Sequence, residues 1–411
     1  MSAEAEIFHV GLLGHGTVGA AFASLLDERS AAIERLTGRR LELSGVVTRS
    51  RGSFEDVLER SDLVVELIGG VDPAHEWVAK ALRSGRHVVS ANKLLLSQHG
   101  DELWALAREH EVQLGFEGAV AGVVPVVRVL RESLAAVAVQ RIHGIVNGTT
   151  NFILSEMTRE GVSYAEALAA AQRLGYAEAD PSDDVSGRDA AAKMAILARL
   201  AFDTPVKLSQ VSFEGIEQIT VDDIEYAREL GLGLKLIGTA ERLDRGISVR
   251  VHPAFLYRGH PLASVEGPFN AVTFESEAIC EVTMSGPGAG GLQTASAVLA
   301  DVVAAIAGRG SPPAPAAEML ELVQDVESSF YLHMEVADRP GVLGQVAQLL
   351  GLQGASIKSV LQRGLGDNAR LVMVTHPLLE SSLLAALDLI GALDFVRARP
   401  RAIRVLDEEF V

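Results

Sequence analysis

The stretch that decides the fold is residues 7–19, IFHVGLLGHGTVG. An apolar, strand-like run meets three glycines in the spacing G-x-G-x-x-G, and a helical pattern of apolar residues follows. Gly14 allows a tight turn, Gly16 lets the backbone approach a phosphate, and Gly19 lets the helix pack closely against the strand. The helix N-terminus then presents free N–H groups to an anion. This stretch predicts a site for a dinucleotide pyrophosphate, with an ordinary glycine-rich turn as the alternative.

Strands and helices alternate along the chain around this turn. Strand patterns lie at residues 7–13, 41–47, 63–68, 87–90 and 112–116. Helical patterns lie between them, at residues 17–36, 74–84 and 98–110. Strands interleaved with helices predict an α/β fold, a Rossmann-type doubly wound parallel sheet.

The pattern changes after residue 117. Helical stretches at 163–174 and 186–202 precede strand-like runs at 247–251, 271–274 and 279–284. This order predicts an α+β domain.

A second glycine-rich turn, residues 286–291, opens a helix that runs to residue 307. A short segment rich in Pro, Gly and Ala follows at 308–317. The last part of the chain then reads strand, helix, strand, strand, helix, strand, at residues 331–336, 342–350, 357–362, 370–375, 380–393 and 402–406. That order predicts a ferredoxin-like βαββαβ fold.

Composition limits the class of protein. The chain has 411 residues, of which 48% are hydrophobic, enough for several buried cores. Its net charge of −18 argues against nucleic acid or anionic membranes as partners. The apolar runs fall short of the roughly 20 residues that span a bilayer, and the acidic first residues do not resemble a secretory signal. A single cysteine, Cys280, excludes a disulfide framework, so we expect a cytoplasmic protein.

The end of the second strand bears on the choice of dinucleotide. A site specific for NAD carries an acidic residue there, which binds the ribose 2′-hydroxyl. Here Arg49 and Arg51 follow the strand instead, and an arginine can pair with a 2′-phosphate. The sequence therefore favours NADP over NAD. Use of both cofactors, and a role for these arginines as solvated loop residues, stay open.

Two lysines lie where chemistry is expected. Lys93 closes the segment 90–93 at the end of a strand, and ligands bind beyond the carboxyl ends of strands in a doubly wound sheet. Lys193 lies four residues after Asp189, so the two side chains share a helical face whose other residues are apolar. Partial burial lowers the pKa of a lysine toward the range useful for proton transfer. An ordinary surface lysine and a surface ion pair are the alternatives.

Two polar segments complete the candidate site. Residues 144–152, GIVNGTTNF, place small hydrogen-bonding groups at one bend, where Thr150 or Asn151 could simply cap a helix. Residues 175–184, GYAEADPSDD, carry four carboxylates, which suit an ammonium group or a metal ion. A solvated acidic loop is the alternative for this second segment.

In combination, these segments resemble homoserine dehydrogenases of the long, amino-acid-regulated form, over nearly the whole chain. The shared motifs are GHGTVG at 14–19, SANK at 90–93, NGTTN at 147–151, GYAEADPSDD at 175–184, GRD with Lys193 at 187–193 and GPGAG at 286–290. NGTTN is the most specific of them. The resemblance implies interconversion of L-homoserine and L-aspartate 4-semialdehyde with NADP(H) or NAD(H), in threonine and methionine biosynthesis.

The resemblance also implies roles for individual residues. Lys193 is the candidate acid and base for the substrate hydroxyl, Lys93 lies near cofactor and substrate, and Asp189 orients the substrate or Lys193. Glu178 would hold the substrate ammonium. The other implied substrate-binding residues are Asp183, Asn147, Gly148 and Thr149. The implied cofactor contacts are Gly14, Gly16, Thr17, Val18, Gly19, Arg49, Ile68, Lys93 and Gly288.

Members of this family bind a monovalent cation such as Na⁺, although the hydride step itself requires no metal. In this sequence Glu117 would give a side-chain oxygen, and Val120, Gly122 and Val124 would give backbone carbonyls. Val123 stands where a third small glycine is usual, which departs from the family pattern.

The C-terminal pattern resembles an ACT domain. DRPGVL at 338–343 is the typical first strand-to-helix turn, and GASI at 354–357 leads into the second strand. Such domains pair across subunits and bind amino acids at this turn. The resemblance therefore implies an effector site at Asp338, Gly341 and Ile357, threonine as the inhibitor, and a homodimer or homotetramer. A packing module without ligand affinity is the alternative.

We expect the chain to divide into four parts. Residues 1–133 would form the dinucleotide-binding domain, completed by residues 286–310. Residues 134–285 would form the domain for substrate binding, catalysis and dimerisation. Residues 311–328 would be a linker, and residues 329–411 the regulatory ACT domain.

Two other functions fit parts of the sequence. One is another NAD(P)-dependent dehydrogenase of a small amino acid or semialdehyde, which the NGTTN and GYAEADP segments speak against. The other is a non-catalytic sensor of nucleotides and amino acids, in which Lys193 would be dispensable.

Overall fold

The computed structural model describes residues 6–310, 312–364 and 369–406. Residues 1–5 of the expected dinucleotide-binding domain, residue 311 of the expected linker and residues 407–411 of the expected ACT domain lie outside these ranges. The described chain contains one sheet of five strands and one of eleven. Over the same ranges, no helix has the length and apolar character needed to cross a membrane.

The first sheet is parallel throughout. Its strands are β1 (Glu6–Leu13), β2 (Arg39–Val47), β3 (Leu63–Glu66), β4 (His87–Ser90) and β5 (Leu114–Gly115). The helices between and after them are α1 (Thr17–Thr37), α2 (Phe54–Glu59), α3 (Ala74–Arg83) and α4 (Lys93–Glu109). The strand order β2-β1-β3-β4-β5 is that of a doubly wound sheet, which confirms the predicted Rossmann-type fold.

The middle of the chain forms an antiparallel sheet with helices. Its helices are α5 (Val126–Arg128), α6 (Gly148–Glu160), α7 (Tyr164–Leu174), α8 (Ser182–Val185), α9 (Arg188–Phe202) and α10 (Val221–Glu229), and α11 (Gly291–Ile306) follows the last strand. The strands are β6 (Arg141–Ile145), β7 (Ser212–Phe213), β8 (Leu232–Leu243), β9 (Gly246–Tyr257), β10 (Phe269–Ser276) and β11 (Cys280–Pro287). The main strands lie in the order β11-β10-β6-β8-β9. This region is α+β, as predicted.

The C-terminal region has the expected βαββαβ order with one added short strand. It contains β12 (Glu327–Val336), α12 (Val342–Leu352), β13 (Ile357–Arg363), β14 (Ala369–Thr375), β15 (Leu378–Leu379), α13 (Glu380–Gly391) and β16 (Arg401–Leu406). Its main strands lie in the order β16-β12-β14-β13. A separate apolar core lies between these strands and the two helices.

Helices cover both faces of the parallel sheet. On one face Val10 and Leu12 of β1 share a core with α1 and with Val298 and Val302 of α11. On the other face Leu13 packs in the core that contains α2, α3 and α4. The alternation along β1 explains this division, since successive strand residues point to opposite faces. Helix α11 therefore packs in the first domain, although it comes after the middle region in the chain.

Several element boundaries differ from the sequence prediction for local reasons. Helix α4 begins at Lys93 rather than at 98, because Asn92 caps it by accepting the N–H of Leu95 at 3.1 Å. Strand β3 ends at Glu66 rather than at 68, because the Glu66 carboxylate accepts the N–H of Ile68 at 2.8 Å and turns the chain. The sequence patterns predict none of β6, β7, β8, α2, α5, α8 and α10, and they offer α6 only as an alternative.

The C-terminal sheet continues the middle sheet. Strand β16 pairs in parallel with β9, with Val405 opposite Phe255. Behind this junction the buried Asp223 of α10 contacts two side chains of the C-terminal domain, His333 at 2.9 Å and Arg401 at 2.8 Å. The predicted linker also packs on the middle region, since Leu322 bridges Ile247. The C-terminal domain is therefore joined to the middle region by backbone and side-chain bonds.

Candidate active site

The glycine turn is built as the sequence predicts for a phosphate site. Gly14 has φ +98°, and a Cβ atom there would lie 2.5 Å from the carbonyl oxygen of Leu67. A Cβ atom at Gly19 would lie 2.2 Å from the carbonyl oxygen of Gly14, so only glycine lets α1 approach the turn this closely. At Gly16, the residue that precedes α1, a Cβ atom would meet nothing within 4 Å. Open space beside free helix N–H groups fits a pyrophosphate.

The other residues expected at the cofactor surround this turn. Thr17 and Val18 open α1, and the backbone of Thr17 lies 3.0 Å from where a Cβ atom of Gly291 would be. Arg49 is exposed, in a tight turn between the bridged residues Thr48 and Arg51. Its guanidinium is therefore accessible to a ligand.

Ile68 lies beside the glycine turn, since its nitrogen is 3.0 Å from where a Cβ atom of Gly14 would be, and Gly288 precedes α11. Ile68 donates its N–H to the Glu66 carboxylate at 2.8 Å. The carbonyl of Gly288 accepts the side-chain amide of Asn270 at 3.3 Å, and a Cβ atom at Gly288 would clash with that amide. The Oδ1 atom of Asn270 is buried and has no hydrogen-bond partner among the described residues.

A buried network at the ends of β3 and β4 positions Lys93. The Glu66 carboxylate accepts the Ser90 hydroxyl at 2.6 Å, and Ser90 Oγ accepts the N–H of Asn92 at 3.1 Å. The Asn92 side chain donates to the carbonyl of Gly70 at 2.6 Å and caps α4. Burial raises the pKa of Glu66, although its hydrogen bonds oppose that rise. Because Lys93 is the first residue of α4, this network sets where its side chain starts.

The two lysines meet on one carboxylate. Lys93 Nζ lies 2.8 Å from Asp189 Oδ1, and Lys193 Nζ lies 2.7 Å from Asp189 Oδ2. Lys193 Nζ also donates to the carbonyl of Val146 at 2.7 Å. The Asp189 side chain is 5% exposed, against 13% for Lys193 and 39% for Lys93. This cluster joins the N-termini of α4 and α9 to the loop before α6.

Asn147 ties the NGTTN segment to the same carboxylate. Its side-chain amide donates to Asp189 at 2.9 Å and to Asp184 at 2.7 Å. Its Oδ1 atom accepts the N–H of Thr150 at 2.8 Å, so Asn147 caps α6. A helix therefore does begin at this bend, but its cap is Asn147 rather than Thr150 or Asn151. Asn151 instead donates to the carbonyl of Gly267 at 2.9 Å, away from the lysines.

The electrostatics of the cluster favour its charged form. Burial alone would raise the pKa of Asp189, but Lys193 and Lys93 outweigh burial and hold it well below its ordinary range. Asp189 in turn raises the pKa of Lys93. Burial, followed by repulsion from Asp189, raises the pKa of Asp184. Lys93 is thus a cation at neutral pH.

The remaining candidate substrate residues lie around this cluster. Gly148 begins α6, and a Cβ atom there would lie 2.8 Å from the carbonyl oxygen of Pro268. The Thr149 hydroxyl donates to the carbonyl of Tyr176 at 2.7 Å, which joins α6 to the acidic loop. Asp183 is exposed, pairs with Arg188 at 3.2 Å and adds to the negative field at Lys93.

Glu178 stands apart from the lysines in this structure. Its side chain is exposed, and its backbone carbonyl accepts the side chain of Gln172 at 3.2 Å. In the described part of the chain no hydrogen bond or ion pair joins the Glu178 carboxylate to the Lys93–Asp189–Lys193 cluster. In this structure Glu178 is therefore not part of the cluster that the two lysines form with Asp189.

The candidate cation residues form a turn against α11. The Glu117 carboxylate accepts the N–H groups of Val127 and Arg128, each at 2.9 Å, and the N–H of Glu117 donates to Asp301 at 2.8 Å. Burial, with the nearby Asp301 charge, raises the pKa of Glu117 to about 7. A buried carboxylate beside a second one is a donor set that a cation would stabilise.

The backbone around Glu117 is tightly placed. Val120 and Val124 are buried, and Gly122 has φ +66° with its Cβ position 2.5 Å from the carbonyl oxygen of Gly288. Gly122 must therefore be glycine, whereas Val123 at the departure from the family pattern is partly exposed.

The candidate effector residues lie on the surface of the C-terminal domain. Asp338 is exposed and accepts the side-chain amide of Gln362 at 3.0 Å. Gly341 has φ +93° and precedes α12, while Ile357 opens β13. Asp338 and Gly341 therefore lie toward the end of the domain where β13 ends, whereas Ile357 lies at the opposite end of that strand.

Sequence analysis missed residues that the structure joins to the site. Glu66 had a visible signal, since it is a lone carboxylate at the end of an apolar strand. Asp184 was seen only as part of an acidic loop. Lys235 gave no signal at all. It is 5% exposed on β8, its Nζ lies 3.3 Å from Asn151 Oδ1, and burial lowers its pKa to about 8.

Comparison with protein families gives three matches along the chain. Residues 14–117 match the homoserine dehydrogenase NAD binding domain, residues 125–303 match homoserine dehydrogenase, and residues 330–395 match the ACT domain. The chain is 40% identical to a homoserine dehydrogenase of Neisseria gonorrhoeae, over 97% of this chain and 98% of that protein. It is 43% identical to one from Corynebacterium glutamicum, over 96% and 95%.

Solved structures agree with these relatives. A homoserine dehydrogenase from Thiobacillus denitrificans superposes with a TM-score of 0.94 at 38% identity, over 98% of this chain and 99% of that chain. A hyperthermophilic archaeal homoserine dehydrogenase in complex with NADPH superposes with a TM-score of 0.65 at 28% identity, over 74% and 99%. This chain belongs to the homoserine dehydrogenase family, and it is an oxidoreductase with a nicotinamide-cofactor domain and a C-terminal ACT domain.

Proposed function

We propose that this protein interconverts L-homoserine and L-aspartate 4-semialdehyde with NADP(H) as its preferred cofactor, in threonine and methionine biosynthesis, under feedback by threonine. The observation that carries the chemical part of the proposal is the convergence of Lys93 and Lys193 on Asp189. These residues come from two domains. They meet near the carboxyl ends of the parallel strands, the edge of the sheet where the glycine turn also lies. A non-catalytic sensor has no need of this arrangement.

Lys193 is the proposed acid and base. A bound oxidised nicotinamide would supply the hydride acceptor for the carbinol carbon of homoserine, so the hydroxyl proton would also need an acceptor. Two of the three N–H donors of Lys193 bond to Val146 and Asp189. In neutral Lys193 the third position on Nζ is a lone pair, which would face the substrate hydroxyl and take its proton.

Lys93 is the proposed charge stabiliser. Asp189 keeps its side chain cationic, and a fixed ammonium stabilises negative charge that develops on the substrate oxygen. Asp189 is the proposed positioning residue for both lysines. Asn147 holds Asp189 in place, and with Gly148 and Thr149 it would line the substrate site.

The acidic loop is the proposed site for the substrate ammonium. Glu178 and Asp183 are both exposed on this loop, and Thr149 joins the loop to α6. Glu178 would have to approach the lysines when substrate binds. Its exposed position is compatible with such a movement, because no described ion pair holds its carboxylate.

The preference for NADP rests on Arg49. The glycine turn fits a pyrophosphate, and the exposed Arg49 follows the second strand, where a 2′-phosphate would lie. The archaeal relative in complex with NADPH supports this choice for the family.

A monovalent cation such as Na⁺ is proposed beside Glu117. The carboxylate, with the carbonyls of Val120, Gly122 and Val124, would supply oxygen ligands. Such an ion would join the turn at 117–125 to the Gly288 segment near the cofactor, a structural role rather than a step in the reaction.

The ACT domain is the proposed threonine sensor, with Asp338, Gly341 and Ile357 at its effector site.

We also propose a homodimer or homotetramer. Among the described strands β13 is an open sheet edge, where Val360 is 48% exposed, and Leu352 on α12 is 70% exposed. A cytoplasmic location, without nucleic acid or membrane partners, is part of the proposal and rests on the single cysteine and the net charge of −18.

We predict that Lys193→Met lowers kcat with homoserine by several orders of magnitude, because proton transfer loses its acceptor; the general contribution of such a group is about 10²–10⁴-fold. Cofactor binding, followed by quenching of nucleotide fluorescence, should be retained. The exposed Lys207→Met is the matched control and should keep normal turnover. Near-normal turnover in Lys193→Met would refute the role. Turnover of other amino alcohols but not of homoserine would favour a different dehydrogenase.

For the cofactor, we predict that Arg49→Ala raises KM for NADPH by about tenfold or more and leaves KM for NADH almost unchanged, since one charge-assisted pair to the 2′-phosphate is lost. Arg60→Ala, also exposed and one helix further along, is the control. Equal changes with both cofactors would remove Arg49 from the 2′-phosphate site.

For regulation, threonine should inhibit the wild type and fail to inhibit Asp338→Ala, while the matched surface variant Asp388→Ala in the same domain stays sensitive. Initial rates at rising threonine concentration measure this. Point variants are preferable to truncation near Ala317, because truncation would also strip β16 from β9. Full inhibition of Asp338→Ala would place the effector elsewhere.

For the cation, the free energy of unfolding in Na⁺-free buffer should fall as pH rises from 4.5 to about 7, since the folded Glu117 keeps a proton that the unfolded chain releases. Adding Na⁺ should stabilise the protein more at pH 8 than at pH 5. Urea titrations of the wild type and Glu117→Gln test this. The variant should lose both effects, and an equal Na⁺ effect in the two proteins would exclude Glu117 as a ligand.

A further inference from the structure

A second cluster of side chains lies outside the catalytic region, between α3 and α4. His75 is in the first turn of α3, and His99 and Glu102 lie one turn apart on α4. One ligand atom from each residue lies within 4.8 Å of the others. The residues share this place because α3 packs beside α4, and positions three apart on a helix face the same way.

Two of the three separations within the cluster are close to those of metal ligands. His75 Nε2 lies 3.0 Å from Glu102 Oε2, and His99 Nδ1 lies 3.5 Å from the same oxygen. An ion that holds nitrogen ligands at 2.0–2.1 Å in tetrahedral geometry places neighbouring ligand atoms about 3.3 Å apart. The two observed distances lie on either side of that value. Little movement of the helices would be needed to bind such an ion.

The chemistry of the donors limits the kind of ion. Two imidazole nitrogens and one carboxylate oxygen suit zinc and related divalent transition ions, whereas Mg²⁺ and Ca²⁺ prefer oxygen ligands alone. The side chains of His75, His99 and Glu102 are 29%, 33% and 48% exposed. An ion could therefore enter from solvent and keep water as a fourth ligand.

We propose that His75, His99 and Glu102 form a binding site for a divalent transition ion of the zinc class. The two imidazole rings already lie 4.1 Å apart, tilted by 30°. Two protonated imidazoles would repel each other at this distance, while two neutral rings would offer their lone pairs to one ion. Bound zinc would join α3 to α4, and His99 lies about 9 Å along α4 from Lys93 at its N-terminus.

The test uses the untagged full-length protein, stripped of metal with a chelator that is then removed. Titration with ZnCl₂ in competition with a chromophoric chelator should show one Zn²⁺ per chain. His75→Gln, His99→Gln and Glu102→Gln should each weaken this binding by at least about tenfold, because each removes one of three protein ligands. His110→Gln, at the C-terminal cap of the same helix, is the matched control and should bind zinc like the wild type.

A second measurement uses Co²⁺, whose visible absorption reports its coordination geometry. The wild type and His110→Gln should give the intense bands of a four-coordinate ion, and the three ligand variants should not. Zinc should also raise the Tm of the wild type and not that of His99→Gln. Zinc affinity that is the same in wild type and His99→Gln, or absent from the wild type, would overturn the proposal and leave an ordinary His–Glu ion pair.

Discussion

The buried Asp189 carboxylate is the constraint on which the arrangement of the candidate active site depends. A carboxylate that is 5% exposed must be paired, and here two ammonium groups and one amide satisfy it. Leaving such a buried charge without any partner costs about 3–5 kcal/mol. The need to pair this buried charge therefore keeps Lys93, Lys193 and Asn147 in contact with the Asp189 carboxylate. That carboxylate joins the cofactor domain to the substrate domain, because Lys93 belongs to the first and the others to the second.

The parallel sheet and the ACT fold were predictable from sequence because their signals are local. Glycines at fixed spacing define the phosphate turn, and apolar residues at periods of two and of 3.6 define strands and helices. The antiparallel middle sheet was harder. Strand β8 carries Lys235 and Thr239 as buried residues, so its polar and apolar residues do not alternate cleanly. Its position depends on partners, β6 and β9, that are distant in the chain.

The residues of the candidate site could be proposed from the sequence, but the contacts between them could not all be predicted. The i, i+4 spacing of Asp189 and Lys193 was enough to pair them, but only the fold shows that Lys93 reaches the other oxygen. The acidic loop shows the limit of sequence patterns. Composition could not tell that Asp184 is drawn toward Asn147 while Glu178 is exposed to solvent. That difference depends on where α6 and α8 meet the loop.

The parallel pairing of β16 with β9 has a consequence for how the protein is made. Residues 254–256 of β9 are paired on one edge by residues 404–406, which a ribosome adds long after β9 itself. Until then this part of the β9 edge is unpaired in the nascent chain, and an unpaired apolar strand edge invites aggregation. Formation of this part of the sheet therefore has to wait for β16. A gene rearrangement that replaced the ACT domain would also have to supply a new strand for that edge.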